Sequence, residues 1–281
     1  NAKLANVKRG VNTYWLAKPL HTVFNHKHSL YVHGGSENFR FGMDLQYTAQ
    51  DGVMKGSERN VMGAGFFVQY TYKRLSIKNN ISFLSTKSKE SPYGLFSKYA
   101  KQLPYNNYKD DNGKYMEALR DWGTGNWDLE NPLYEPSLKS FNKSSAEEWT
   151  NNLSVNWNIF PSLLLKGQIS ISRGYGDSKN FIDPLSKRNS TKLSLTNLKS
   201  GELHLTGNDQ FSYNMYFSLS YNGAIGNHMI NALAGFELRE SQTKNESSSY
   251  YGFPSGELSS PEYAEEQRDK TKHGESTSRS I

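Results

Sequence analysis

The sequence has no cysteine among its 281 residues. Neither a disulfide framework nor a thiolate metal site is therefore available to it. It has no run of about 18 apolar residues, so it encodes no transmembrane helix. It opens without the apolar stretch of a secretion signal, since Asn1-Ala2-Lys3-Leu4 leads straight to Asn6-Val7-Lys8-Arg9. Hydrophobic residues are scarce, at 35%, and the mean hydropathy is −0.76. An ordinary soluble core is hard to assemble from such a chain. Aromatic residues, in contrast, reach 13%, with 18 Tyr, 14 Phe and 5 Trp, which excludes a disordered chain. Strands with one greasy and one wet face reconcile the two observations. The net charge is +6, but Lys and Arg are scattered, with nothing denser than Lys8-Arg9, Lys73-Arg74 and Lys187-Arg188. No nucleic-acid partner is expected from that footprint.

A period of two runs through the chain. From Phe39 the odd positions read Phe39, Phe41, Met43, Leu45, Tyr47 and Ala49, and the even ones Arg40, Gly42, Asp44, Gln46 and Thr48. Successive side chains of a strand point to opposite faces, so this strand is apolar on one face and polar on the other. The pattern returns in Trp149–Ile159, Leu163–Ile171, Phe211–Tyr221 and Ile230–Leu238. Weaker versions lie near 60–72, 75–85 and 28–34. The alternation predicts about eight strands. Several run for ten residues or more, the length that crosses a bilayer at a tilt.

The predicted connections alternate in length. Short turns fall at Gly34–Asn38, Tyr72–Leu75, Phe160–Ser162 and Gly223–Asn227. Long connections are expected over roughly 50–59, 86–147, 175–209 and from 241 onward. Short turns on one side and long loops on the other characterise outer-membrane barrels, whose short turns are periplasmic. Aromatic residues gather at both ends of the strands: Tyr70, Tyr72, Trp157, Phe160 and Tyr221 by the short turns, and Tyr47, Trp149, Phe211 and Tyr213 by the long loops. Two interfacial girdles have this pattern. The expected fold class is all-β, an antiparallel transmembrane β-barrel present in part. A soluble β-sandwich and a β-helix are the competing architectures, and the lack of a fixed repeat counts against the second.

Motifs for chemistry are sparse. His26 and His28 could share a strand face and hold a metal, but no third ligand stands at a useful spacing. Asp110-Asp111, Asp128 with Glu130, and Glu265-Glu266 are carboxylate pairs of the kind glycosidases use, and equally of the kind surface loops carry. Gly63-x-Gly65 and Gly174-x-Gly176 lack the Lys-Ser/Thr of a phosphate loop. No Gly-x-Ser-x-Gly nucleophile elbow occurs. No catalytic residue, cofactor site or metal site is assigned, and no enzyme activity is expected.

Several segments resemble the barrel region of SusC-like (SusC/RagA-type) TonB-dependent outer-membrane transporters of Bacteroidetes. They are His28–Gln50 with its continuation through Gly-Ser-Glu at 56–58, Glu130–Pro136 (ENPLYEP), His228–Glu237 (HMINALAGFE) and the Trp-containing Val11–Thr22. His33 departs from the pattern, where a small polar residue is expected. The resemblance implies that residues 1–281 form part of a barrel of about 22 strands enclosing a plugged lumen, roughly a third of the wall. It implies a signal peptide, a TonB-contacting segment and a plug domain that this sequence does not include. The open edges of such a piece imply that it does not fold alone in lipid. It further implies nutrient uptake of oligosaccharides or peptides across the Gram-negative outer membrane. A SusD-like lid lipoprotein, TonB and outer-membrane lipids would be the partners. A passive porin-like or adhesin barrel and a soluble carbohydrate-binding β-domain are the alternatives.

The connection at 86–147 carries the heaviest aromatic load: Tyr93, Phe96, Tyr99, Tyr105, Tyr108, Tyr115, Trp122, Trp127 and Tyr134. A long loop of this kind needs a reason. Its rings either stack on sugars or hold a peptide at the extracellular mouth, or they pack the loop and meet the lid. For the first role the candidate substrate contacts are Trp122, Trp127, Tyr105 and Tyr134.

Overall fold

The computed structural model describes residues 2–119, 129–189 and 200–280. Its strands are β1 His26–Gly35, β2 Phe39–Asp51, β3 Glu58–Tyr72, β4 Leu75–Lys89, β5 Ala118–Leu119, β6 Leu129–Glu130, β7 Phe141–Phe160, β8 Leu163–Ile182, β9 Glu202–Ile225, β10 His228–Tyr251 and β11 Glu266–Ser280. Two short helices, α1 Ala2–Lys8 and α2 Phe96–Ala100, lie outside the sheet. Nine strands form one sheet in the order β1-β2-β3-β4-β7-β8-β9-β10-β11. All neighbours are antiparallel, so the sheet is a meander. The β5–β6 pair is a separate ribbon within the β4–β7 connection.

The register carries the alternation across the whole sheet. Reading across strands on one face, Leu30 pairs with Leu45 and Met43 with Phe66. Phe66 pairs with Ile81, Phe83 with Trp149, and Leu153 with Ile169. Ile169 pairs with Met215, and Phe217 with Phe236. This face is a continuous apolar surface left uncovered, with Trp149 51% and Phe236 50% exposed. Apolar side chains exposed side by side over several strands are unusual for a soluble monomer. The opposite face is polar, with Arg40, Asp44, Gln46, Lys78, Asn152, Lys166 and Asn214 along it. Trp149 and Trp157 bound the apolar stretch of β7, about 26 Å apart along the strand. A tilt of about 40° makes that roughly 20 Å of membrane depth.

Short and long connections alternate as expected. Short turns follow β1, β3, β7 and β9, and long connections follow β2, β4, β8 and β10. In the two-residue β3–β4 turn Lys73 takes φ 50°, a left-handed conformation. Tight hairpins require it, because their backbone twist must match that of the strands.

Two expectations need correction. β7 to β10 are 20 to 24 residues long, so much of 141–147, 175–182, 202–209 and 241–251 is strand rather than loop. These extensions rise past the apolar band, where no alternation is demanded. The ninth strand, β11, was not among the strands expected. Its sequence EQRDKTKHGESTSRS holds no apolar side chain. It pairs only with the loop-side half of β10, from Arg239↔Ser280 to Tyr251↔Glu266.

One polar pair interrupts the apolar face. Asn79 and Asn151 exchange two amide hydrogen bonds, of 3.1 and 3.0 Å. The reciprocal pair hides both amides from hydrocarbon. Asn151→Leu should destabilise the barrel by about 1–3 kcal/mol, because Asn79 is then orphaned. The double replacement with leucine should be near neutral. The midpoints of thermal unfolding, followed by heat-modifiable gel migration, measure both.

Candidate functional site

Two places gather polar and aromatic groups: the polar face of the wall and the layer of long connections at its rim. The layer is held by the segment before β1. Thr13 N donates to Pro104 O at 2.6 Å and Lys55 N to Pro19 O at 2.8 Å. Trp15 is buried, and its Nε1 donates to Leu103 O at 2.9 Å. Its ring meets Tyr108 edge-on at 5.9 Å. Around Trp15 cluster Tyr99, Leu119 and Leu133, with Tyr93, Tyr108, Tyr115 and Met116 against them. Four rings of this connection, Tyr93, Tyr99, Tyr108 and Tyr115, thus join Trp15 in a small core.

The stretch Asn131–Pro136 is the hub of that layer. Asn131 Nδ2 donates to Tyr108 O and Met116 O, while its Oδ1 accepts from Leu133 N. Glu135, 8% exposed, accepts from Ser186 Oγ at 2.7 Å, Lys187 N at 2.9 Å and Arg188 Nε at 3.2 Å. It therefore ties the β4–β7 connection to the β8–β9 connection. Asp183 works the same seam, accepting from Lys139 N and Leu185 N. A second cluster of Phe181, Leu203 and Phe253, with Phe141 and Leu205 beside it, closes the rim toward β9.

Of the four aromatic candidates, Trp122 and Trp127 lie outside the described residues. Tyr134 is 6% exposed, and its hydroxyl donates to Leu185 O at 3.2 Å. Tyr105 is half-buried, and its carbonyl accepts from Asn6 Nδ2 at 3.1 Å. It stands next to a cleft of about 700 Å³ lined by Asn6, Asn106, Asp110, Asp111 and Met116. The structure does not bring Tyr105 and Tyr134 into one pocket. Asp110 binds its own turn, accepting from Asn112 N and Lys114 N. Glu130 pairs with Lys98 at 2.9 Å. The His26 and His28 rings lie 5.0 Å apart, tilted at 55° to each other, and among the described residues no group of three His, Cys, Asp or Glu could hold a metal.

A groove that sequence reasoning did not single out lies on the polar face of β4, β7, β8 and β9. It has about 510 Å³ and is lined by Leu84, Thr86, Glu148, Thr150, Ser172, Gly174, Gly176, Asn208, Gln210 and Ser212. Glu148 Oε1 accepts from Ser172 Oγ at 3.2 Å and Thr150 Oγ1 at 3.4 Å. The floor is glycine backbone. A Cβ on Gly174 would meet only Glu147 O, at 3.7 Å, and one on Gly176 nothing nearer than 3.8 Å. The glycines of β2 and β3 differ. Gly42 leaves its place to the Phe67 ring and Gly65 to the Asp44 carboxylate, and a Cβ on Gly63 would stand 2.7 Å from Gln46. Those glycines are filled by neighbours, whereas Gly174 and Gly176 leave open space with hydroxyl, amide and carboxylate groups around it. Only the doublet Gly174-x-Gly176 within an alternating strand hinted at it.

Burial pushes the Tyr134 hydroxyl up to about 12, with the nearby carboxylates of Glu117, Glu135 and Asp183 adding to the shift. Burial likewise raises Tyr99, with Tyr93 and Glu130 contributing. A proton held more tightly when folded stabilises the layer fully below the unfolded value of 10.0, and the contribution is lost as pH climbs through about 12. Alkaline titration at 295 nm should show late-ionising tyrosines, of which Tyr134→Phe removes one. Loop proteolysis should quicken over the same interval in the parent protein.

No protein-family profile and no curated protein sequence matches the chain. Solved structures do. The structure of the RagAB peptide transporter superposes with a TM-score of 0.74 at 18% identity, covering 95% of this chain and 30% of that one. The closed-closed and open-open states of the RagAB peptide importer match with the same TM-score and coverage at 17% identity. The chain therefore spans about 30% of the length of the proteins it matches. Its fold is that of a stretch of the RagAB peptide transporter structure, an all-β antiparallel sheet matching part of a β-barrel wall.

Proposed function

We propose that the chain is barrel wall of a SusC-like, TonB-dependent importer of peptides or oligosaccharides in the Gram-negative outer membrane. The observation that carries this reading is the shared fold over 95% of the chain with a peptide transporter. The polar face adds support. Leu233 is 73% and Tyr31 57% exposed on it, both in the half nearer the short turns. A passive water-filled pore has no use for such side chains. A plug domain inside the barrel would cover them, and a plug is what TonB acts upon. The rim layer, tied together through Trp15 and Glu135, gives a SusD-like lipoprotein a firm seat. Substrate would pass the groove around Gly174, with Trp122, Trp127 and Tyr105 as further candidate contacts. Import breaks no covalent bond, so the site needs binding groups and no catalytic pair.

Uptake of labelled oligopeptides and oligosaccharides by cells carrying the full-length protein tests the reading. Uptake should stop when TonB is deleted; energy-independent uptake would favour a porin. Gly174→Trp fills the groove and should lower uptake by about tenfold, with heat-modifiable migration unchanged.

A further inference from the structure

Four lysines stand on the apolar side of the wall, beyond its aromatic row. Lys89, Lys143 and Lys179 are direct neighbours on β4, β7 and β8. Lys87 lies two residues nearer the membrane band on the same face of β4. The ladder sets such neighbours about 5 Å apart at Cβ, where like charges directly opposite are destabilising. Four carboxylates share the surface: Glu58 opposite Lys89, Asp177 opposite Ser145, Glu147 opposite Ser85, and Asp209, which is paired with Arg173. Even so, none of the four lysines is in an ion pair among the described residues. The Nζ atoms of Lys143 and Lys179 lie 4.9 and 5.7 Å from the Phe141 ring. The lysines surround a depression of about 650 Å³.

Height decides what such a row meets. Lys89, Lys143 and Lys179 lie six residues past the level of Phe83, Trp149 and Arg173, and Lys87 lies four past it. Six residues span about 20 Å along the strand and roughly 15 Å along the membrane normal at barrel tilt. The headgroup zone of a glycerophospholipid is only about 5–7 Å deep. Its phosphate lies too low for the row. Arg173, at the right level for such a phosphate, is already paired with Asp209 at 3.2 Å.

We propose that the row formed by Lys87, Lys89, Lys143 and Lys179 binds an outer-leaflet glycolipid whose phosphate groups are carried on a sugar headgroup. This rests on the membrane placement given above, with the long connections outside the cell. Lysines that repel one another are stabilised by a multivalent anion lying across them, and phosphates mounted on a saccharide reach the required height. Leu205, which lines the depression, offers apolar contact to sugar faces.

The test uses full-length protein extracted from outer membranes in mild detergent, as wild type, as K87Q/K89Q/K143Q/K179Q, and as the polar-face control K78Q/K166Q. Bound phosphorylated glycolipid is quantified by mass spectrometry after washing. Wild type and control should retain it, and the quadruple variant should retain at least about tenfold less. Equal retention by the quadruple variant would overturn the proposal. So would release of the glycolipid by millimolar inorganic phosphate or by phosphatidylglycerol micelles at equal phosphate, since either would show a site indifferent to the sugar. Heat-modifiable migration of all three proteins reports the barrel itself. Its absence from wild type would sink the barrel reading, whereas its presence with equal lipid retention would sink only this proposal.

Discussion

A backbone amide in hydrocarbon has no water to turn to. Each N–H and C=O left unpaired there costs several kcal/mol, and this constraint orders the rest of the molecule. It forces long strands into an uninterrupted ladder, and the ladder forces a register. Once Leu30 faces Leu45 and Phe83 faces Trp149, every second residue within the apolar band is committed to one face. The remaining residues are then free to be polar. The reciprocal amides of Asn79 and Asn151 apply the same rule to side chains.

Beyond the aromatic row the constraint lapses, and different physics takes over. There β7 to β10 continue without the apolar alternation, and the connections must supply their own core. Trp15 and the tyrosines around it do so with little aliphatic material. Buried carboxylates at Glu135 and Asp183 stitch neighbouring connections through backbone amides. A layer built in this way presents a fixed surface at the mouth. The wall groove over Gly174 and Gly176 lies on the polar face beneath it.

How much of this the sequence discloses follows the same boundary. Within the membrane band alternation is compulsory, so Phe39–Ala49 or Phe211–Tyr221 can be read directly as strands with the correct face outward. Turn and loop lengths follow from the gaps between them. Past the band no alternation is required, and β11, with no apolar side chain at all, leaves no trace in hydropathy. The loop aromatics are legible as a concentration but not as an arrangement. Nothing in its neighbours distinguishes Tyr134, which is buried with its hydroxyl bonded to Leu185 O, from a ring offered to a ligand. Likewise the Glu135 carboxylate looks like any loop acid until Ser186 and Arg188, some fifty residues away, close on it.

The glycines of the polar face also constrain how the wall can vary. Phe67 occupies the place that a side chain at Gly42 would need, Asp44 the place at Gly65, and Gln46 the place at Gly63. Each glycine sits on the strand next to its occupant, so a side chain added at the glycine must displace the neighbour. A change of shape here is therefore expected to be coupled across the ladder, most tightly at Gly42, whose occupant is a rigid ring. Around Gly174 and Gly176, which shelter no neighbour, a lineage can alter the passage one substitution at a time.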